Sequence, residues 1–468
     1  MENSANKRIV ALDLLRGLAI LGMVLSGLIP DTLPRWMYHA QVPPPDRVFD
    51  PNLPGITWVD LVFPFFLFAM GVAIPIAMQG LVRGAAKTSD VVKRVGSRAL
   101  NLAAFAILSQ HFRLGELGKA SWGTALWALL GFALMLGAFS RISGPAWIKR
   151  ICALGCLIML MAYRYPNGNV GFEQGRIDII LMVLANVAFS GALIWWLTRE
   201  KPWHRVVAMA LVYALFLTRG MGGIGVFAWN FDPVTYLKPA LESWYRLVPD
   251  IYNMEFHKYL LIVLPGTVVG DMLLHRPPMR WTTGTAQLAF LLGIGASVVA
   301  CAGLLTREIW WTALGLSICV GGMWSLAAVE PASREAGIVR LSALLVLIGM
   351  IAEPLGGGIK KDPSDLSYWL LTAGLAGLML VALIAAVARL GIERRSRVIA
   401  DCGANPMMAY ALVANFIPSF NFITQYGAYA GTWFKNPWLL ALMDGGIKTA
   451  LVAWLAAWAT RKGWLLRA

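Results

Sequence analysis

His39 and Asp60 are the residues of this chain whose types and setting best suit proton chemistry. They lie within "MYHAQVPPPDRVFDPNLPGITWVD", a stretch carrying Pro43, Pro44, Pro45, Pro51 and Pro54, with Pro34 just ahead of it. Proline fixes φ and removes a backbone donor, so this loop is stiff and cannot pair as a strand. A stiff loop between two helices can hold an imidazole over a cavity. With an ordinary pKa of about 6.5, that imidazole can take or return a proton near neutrality. Two chemistries are open to it: general base catalysis and nucleophilic transfer through a covalent intermediate. Asp60 follows Thr57 by three residues, the spacing of a capping box with the shorter acid in place of Glu, so it also reads as a helix cap. The other four histidines, His111, His204, His257 and His275, read as structural.

Asp60 is one of seven charges that fall within or at the edge of apolar runs, the others being Asp13, Arg16, Asp271, Asp401, Asp444 and Lys448. A charge at mid-bilayer costs about 2.5–3.5 kcal/mol on insertion scales, so each needs a partner, water or an interfacial place. Asp13 and Arg16 are spaced i,i+3 and Asp444 and Lys448 i,i+4, which puts each pair on one helical face. Both can neutralise themselves. Asp271 and Asp401 lie near helix ends, where water reaches. Asn405 and Pro406 interrupt an apolar run, and a proline there kinks the helix and frees a carbonyl.

The elements that must hold these residues are membrane helices. Hydrophobic residues make up 58% of the 468 positions and charged residues 14%, against about 45–50% and about 25% in soluble domains. The fold expected is all-α and polytopic, one integral membrane domain over residues 1–468. Fourteen apolar segments approach the length that crosses about 30 Å of hydrocarbon: 12–30, 57–80, 97–112, 122–140, 147–163, 178–198, 204–219, 256–274, 284–304, 308–329, 339–353, 367–388, 398–418 and 437–460. Those at 97–112, 204–219 and 339–353 are short, and the longest stretch outside them runs from Gly220 to Glu255. Lys7 and Arg8 precede a first run that Asp13 and Arg16 interrupt, so it reads as a retained helix rather than a cleaved leader.

With the N-terminus inside, the cytoplasmic segments hold 24 basic residues against 6 acidic ones, and the outer segments 14 of each. That bias predicts an even number of spans and both termini in the cytoplasm. It also accounts for the net charge of +15 without nucleic acid, because the Lys and Arg fall in short clusters between apolar runs. Many of the 20 tryptophans stand at helix ends, as an interfacial belt requires. Cys152, Cys156, Cys301, Cys319 and Cys402 all lie inside apolar runs without ligand spacing, so no disulfide framework and no metal site are expected.

Three stretches, "RIVALDLLRGLAILGMVL", "MYHA" and "GITWVDLVFPFFLFAMGVAI", resemble the signature of the transmembrane acetyltransferase family that includes heparan-α-glucosaminide N-acetyltransferase and bacterial relatives. The matching residues are Asp13, Arg16 and Gly17, then His39, then Asp60, Leu61, Val62, Phe63 and Pro64. The likeness is strongest over residues 8–80 and continues more weakly in "LPGTVVGDMLL", "DLSYWLLTAGLAGLMLVALIA" and "GANPMMAY". Where the lysosomal member has an asparagine at the end of its first helix, this chain has Ser26 or Gly27.

The resemblance implies an acyltransferase that moves an acetyl group from cytoplasmic acetyl-CoA to an amino sugar or glycan at the outer side, in a bacterial inner membrane. His39, Asp60, Arg16 and Asp13 would be its catalytic residues, Trp58 and Asn405 would touch substrate, and Lys93, Arg94 and Arg98 would attract the coenzyme's phosphates. Membrane lipids are expected partners, and a homodimer is open to it. The rival class is a sugar or ion transporter in which the same buried charges line a path. No internal repeat is evident, which disfavours it.

Overall fold

The computed structural model describes residues 9–141, 145–173, 175–219, 221 and 252–466. Lys7, Arg8, Arg467 and most of the Gly220–Glu255 stretch lie outside them. In chain order the principal helices are α1 (Val10–Ser26), α2 (Trp58–Arg83), α3 (Thr88–His111), α4 (Trp122–Phe139), α5 (Ala146–Ala162), α6 (Ile179–Thr198), α7 (His204–Leu217), α8 (Leu260–His275), α9 (Thr283–Thr306), α10 (Ile309–Ala328), α11 (Arg334–Ile351), α12 (Leu366–Arg389) and α13 (Arg397–Ala404). The broken helices α14 (Pro406–Thr424) and α15 (Pro437–Arg461) follow, each carrying an internal π-helical turn, Leu412–Phe416 and Ala441–Gly446.

Among the described residues there is no β-strand, and all fourteen apolar segments lie on helices. Among the described residues, nine helices are both long and apolar enough to cross a membrane. The chain is a helical integral membrane protein. The six helices outside that nine are short, as α1, α5, α7 and α13 are with 17, 17, 14 and 8 residues, or carry charge in their first turns, as α3 and α11 do.

The chain forms two compact units. The first comprises residues 1–78, 261–406 and 436–457 and holds His39 and Asp60. Its core helix is α12, whose sequence from Leu366 to Ala388 has no charge and whose most apolar window is 89% buried. A helix apolar on every side has no face to give to water, so it must be enclosed. α9, α11 and α1 pack around α12, and α13 packs on α1.

Small residues set two close crossings in this unit. A Cβ on Gly403 would lie 1.7 Å from the Asp13 carbonyl oxygen, and one on Gly17 would lie 2.0 Å from that of Ile399. Only hydrogen at these positions lets the α1 and α13 backbones meet. Gly71 and Gly266 do the same for α2 and α8, with virtual Cβ atoms 2.2 Å from Val263 O and 2.5 Å from Phe68 O.

The second unit comprises residues 79–260, 407–435 and 458–468. In it α3 packs on α6 and α4 on α5. Its polar centre is Asp178, which caps α6 through Leu181 N–H and also accepts from Arg113 Nη2 at 2.9 Å and from the Tyr410 hydroxyl at 2.8 Å.

Candidate functional site

Asp60 enters its site as a helix cap. Thr57 N–H donates to Asp60 Oδ2 at 2.9 Å and Ala40 N–H donates to the same oxygen at 3.1 Å. The Thr57 hydroxyl donates to Tyr38 O at 2.6 Å, which ties the loop to the start of α2. Tyr368, on the first turn of α12, donates its hydroxyl to the Asp60 carbonyl at 2.7 Å. The Asp60 side chain is fully buried.

All of this leaves Oδ1 for His39. Nδ1 of His39 lies 2.7 Å from Asp60 Oδ1, and because a carboxylate only accepts, the ring proton is on Nδ1. Nε2 then keeps the lone pair, the tautomer a general base or nucleophile at that nitrogen requires. The imidazole itself is 36% exposed, beside a carboxylate with none of its surface exposed. Asp60 therefore caps α2 with one oxygen and meets His39 with the other.

A second loop closes over the first. Gln41 Nε2 donates to Leu53 O and Gly55 O, while its Oε1 accepts from Lys361 N–H at 3.4 Å. Gly55 N–H donates to Ile359 O at 2.8 Å. The loop before α12 can fold back this way because Gly356, Gly357 and Gly358 all have positive φ, a region that favours glycine. Arg307 and Glu353 pair beneath it, and Glu353 also accepts from Ile359 N–H. The result places Lys361 Nζ 3.3 Å from both ring nitrogens of His39. Burial pulls the Lys361 ammonium below the usual lysine range, against the pull of Asp60 and Asp362 toward the charged form. Lys361 was not visible as a site residue in the sequence, where it counts only as a loop charge 322 positions from His39.

Trp58 lines a slot of about 310 Å³ with Trp36, Thr57, Leu61, Cys301 and Leu305. The slot is almost wholly apolar and shares Thr57 with the Asp60 cap.

Other expected site residues lie elsewhere in the same unit. Arg16 donates to Ala69 O at 3.3 Å and sits 3.6 Å from Asp13. Ala69 is nine residues beyond Asp60 on α2, about 13 Å along the axis at 1.5 Å per residue. Asp13 and Arg16 are thus not brought to His39. Asn405 is buried just beyond α13, two residues after the glycine that rests on the Asp13 carbonyl. Asp444 and Lys448 pair at 2.6 Å, as their spacing predicts. At the far end of α1, Val10, Val387, Arg394, Arg397 and Asp401 line a more polar cavity of about 840 Å³.

In the second unit, Lys93, Arg94 and Arg98 are exposed on α3. His111 uses both ring nitrogens on the backbone, Nδ1 to Ile107 O at 2.8 Å and Nε2 from Glu173 N–H at 3.1 Å. That leaves it no lone pair or proton for chemistry, so it is structural. No group of three or more His, Cys, Asp or Glu that could hold a metal occurs among the described residues.

Residues 8–273, more than half of the chain, match the domain of unknown function DUF5009. The chain belongs to the DUF5009 family. The DUF5009 match takes in α1, the His39 loop, α2 and α8, but ends before the Lys361 loop and α12. No curated protein matches the chain.

Proposed function

We propose that this protein is a membrane-embedded acyltransferase that moves an acetyl group from cytoplasmic acetyl-CoA to an amino sugar or glycan at the outer face. The observation that carries the reading is the 2.7 Å contact between His39 Nδ1 and the buried Asp60 carboxylate. A carboxylate buried from solvent, with its other oxygen held by two backbone N–H groups, fixes one imidazole tautomer and steadies the imidazolium that forms when Nε2 takes a proton. In the direct route, Nε2 removes a proton from the acceptor as its nitrogen or oxygen attacks the acetyl carbon. The carbon–sulfur bond breaks and the proton ends on the coenzyme thiol. In the two-step route, Nε2 itself carries the acetyl group between donor and acceptor.

The donor must reach His39 from the opposite membrane face. Arg394 and Arg397 in the far cavity suit the coenzyme's phosphates, as charge-assisted donors do, and join Lys93, Arg94 and Arg98 as candidates for that contact. Arg16, Asp13 and Asn405 stand at intermediate depth, where they suit the donor's extended arm better than the reacting carbonyl. Trp58 and its slot suit an apolar part of the acceptor. The orientation in this reading has fourteen spans, both termini in the cytoplasm and a bacterial inner membrane around them.

The transporter reading has less in its favour, since Asp444 and Lys448 close on each other rather than lining a path. The test is direct. Purified protein given radiolabelled acetyl-CoA and glucosamine should yield labelled N-acetyl product, and His39→Ala should abolish it; a panel of amino sugars and glycans that stays unlabelled with wild-type protein would overturn the proposal.

A further inference from the structure

The Lys361 amine sits 3.3 Å from an imidazole whose only free lone pair is on Nε2. Two cations cannot share that distance comfortably, because a like charge this close disfavours the second protonation. The charges around them are few. Asp60 faces the pair from α2, Asp362 adjoins Lys361 in its own loop, and Cys301 on α9 senses Asp60. Lys360 acts electrostatically on Asp365, and Arg307 is closed on Glu353. Among the described residues, Asp60 is thus the buried carboxylate that acts on both basic groups.

We propose that Asp60, His39 and Lys361 form a single proton-holding unit that carries one positive charge shared between imidazole and amine, with Lys361 the proton partner of His39. In the resting state the charge sits on the ammonium of Lys361, 3.3 Å from Nε2. When Lys361 has lost its extra proton to solvent, the pair is neutral and ready. Nε2 then receives the proton released by the attacking acceptor, and the amine holds it in turn, so that His39 regains its lone pair. Transfer of that proton to the departing coenzyme thiolate returns the pair to its neutral state, and no proton is gained or lost over the cycle. Lys361 therefore acts through His39, and burial, which lowers the pKa of its amine, eases release of the proton it holds.

The inference rests on the acyltransferase reading for its role in turnover, but the shared proton can be measured without turnover. Full-length protein with ¹⁵N-labelled histidine is titrated in nanodiscs, with His39→Gln used to assign the ring signals. Wild type should show His39 titrating in two coupled steps. Lys361→Met should give one step, moved upward by about one unit or more once the neighbouring cation is gone. Lys361→Arg keeps a cation that never releases its proton, and should give one step moved downward relative to Lys361→Met. If Lys361→Met does not fold, the wild-type and Lys361→Arg comparison still decides. Identical His39 titrations in all the folded proteins overturn the inference. The same proteins are assayed for acetyl transfer from acetyl-CoA to glucosamine across pH. Coupled titration without transfer keeps the proton unit and removes its acyltransferase role, whereas transfer with an uncoupled His39 removes the unit and keeps the acyltransferase.

Discussion

Asp60→Asn separates the two duties of one side chain. The asparagine oxygen can replace Oδ2 as acceptor for Thr57 N–H and Ala40 N–H, the two backbone donors at 2.9 and 3.1 Å. Those bonds fall from charge-assisted, about 1.5–3 kcal/mol each, to neutral, about 0.5–1.5, for a loss of about 2 kcal/mol in all. Asp60→Ala would instead strand both donors in a buried place, at about 1–3 kcal/mol each. In the Asp60→Asn variant the side-chain amide nitrogen must face His39, and it donates where the carboxylate accepted. Nδ1 is then forced to accept and the ring proton moves to Nε2, which takes away the lone pair. Asp60→Asn should therefore melt above Asp60→Ala in detergent yet lose about 10²–10⁴-fold in acetyl transfer, with the tautomer change visible in ¹⁵N histidine spectra. A folded Asp60→Asn protein with Nδ1 still protonated and transfer within tenfold of wild type would refute the reasoning.

Further tests reach other parts of the chain. Reporter fusions near Pro45 should read as outside and fusions after Arg98 as cytoplasmic; the reverse overturns the orientation. Exchanging Asp13 and Arg16 should lower the melting temperature, because a carboxylate at position 16 would face the Ala69 carbonyl that Arg16 now bonds, and an exchange with wild-type melting would show that contact to be idle. Gly403→Ala forces a methyl into the Asp13 carbonyl and should cost at least the about 1–3 kcal/mol of overpacking, read as lost monodisperse protein in size-exclusion chromatography. In the second unit, burial would raise the Glu173 carboxyl, but bonds from Arg176, Asn167 and Asn169 outweigh it and hold it at about 2. A carboxyl depressed from 4.5 contributes stability above about pH 4.5 and loses it as pH falls toward 2. Glu173→Gln should thus melt below wild type at pH 7, with the gap closing between pH 4.5 and 2; a gap independent of pH would remove the ionic explanation.

The site was half legible. His39 and Asp60 could be read because a proline-stiffened loop and a cap spacing are local signals. That Asp60 is both cap and partner could not, since a sequence shows one side chain and not two oxygens. Lys361 was hidden for a different reason: in the sequence it is one charge in a loop, and only tertiary packing brings it to the imidazole. The glycine run just before it, "GGGIKKD", is the signal that a loop there must fold sharply. The depth of Arg16 was open to arithmetic, since ten residues of helix separate it from the end of α1 at Ser26, about 15 Å at 1.5 Å per residue. Residue type drew attention to it, and helix rise takes it away from His39. The helices themselves were legible almost throughout, because apolar runs in this chain are long enough to leave few other choices.

The bonds that finish this site join residues made far apart in time. Asp60 acquires Tyr368 across 308 positions, and Gln41 acquires Lys361 across 320. At about 5–20 residues per second of synthesis, the carboxylate waits roughly 15–60 s for the rest of its surroundings. During that interval its own helix supplies the Thr57 N–H, so a charge bound for a buried place enters the bilayer region already partnered. A ribosome stalled before α12 should accordingly display an inserted, stable hairpin of α1 and α2 whose histidine is still accessible to modifying reagents, and accessibility should fall once Lys361 emerges.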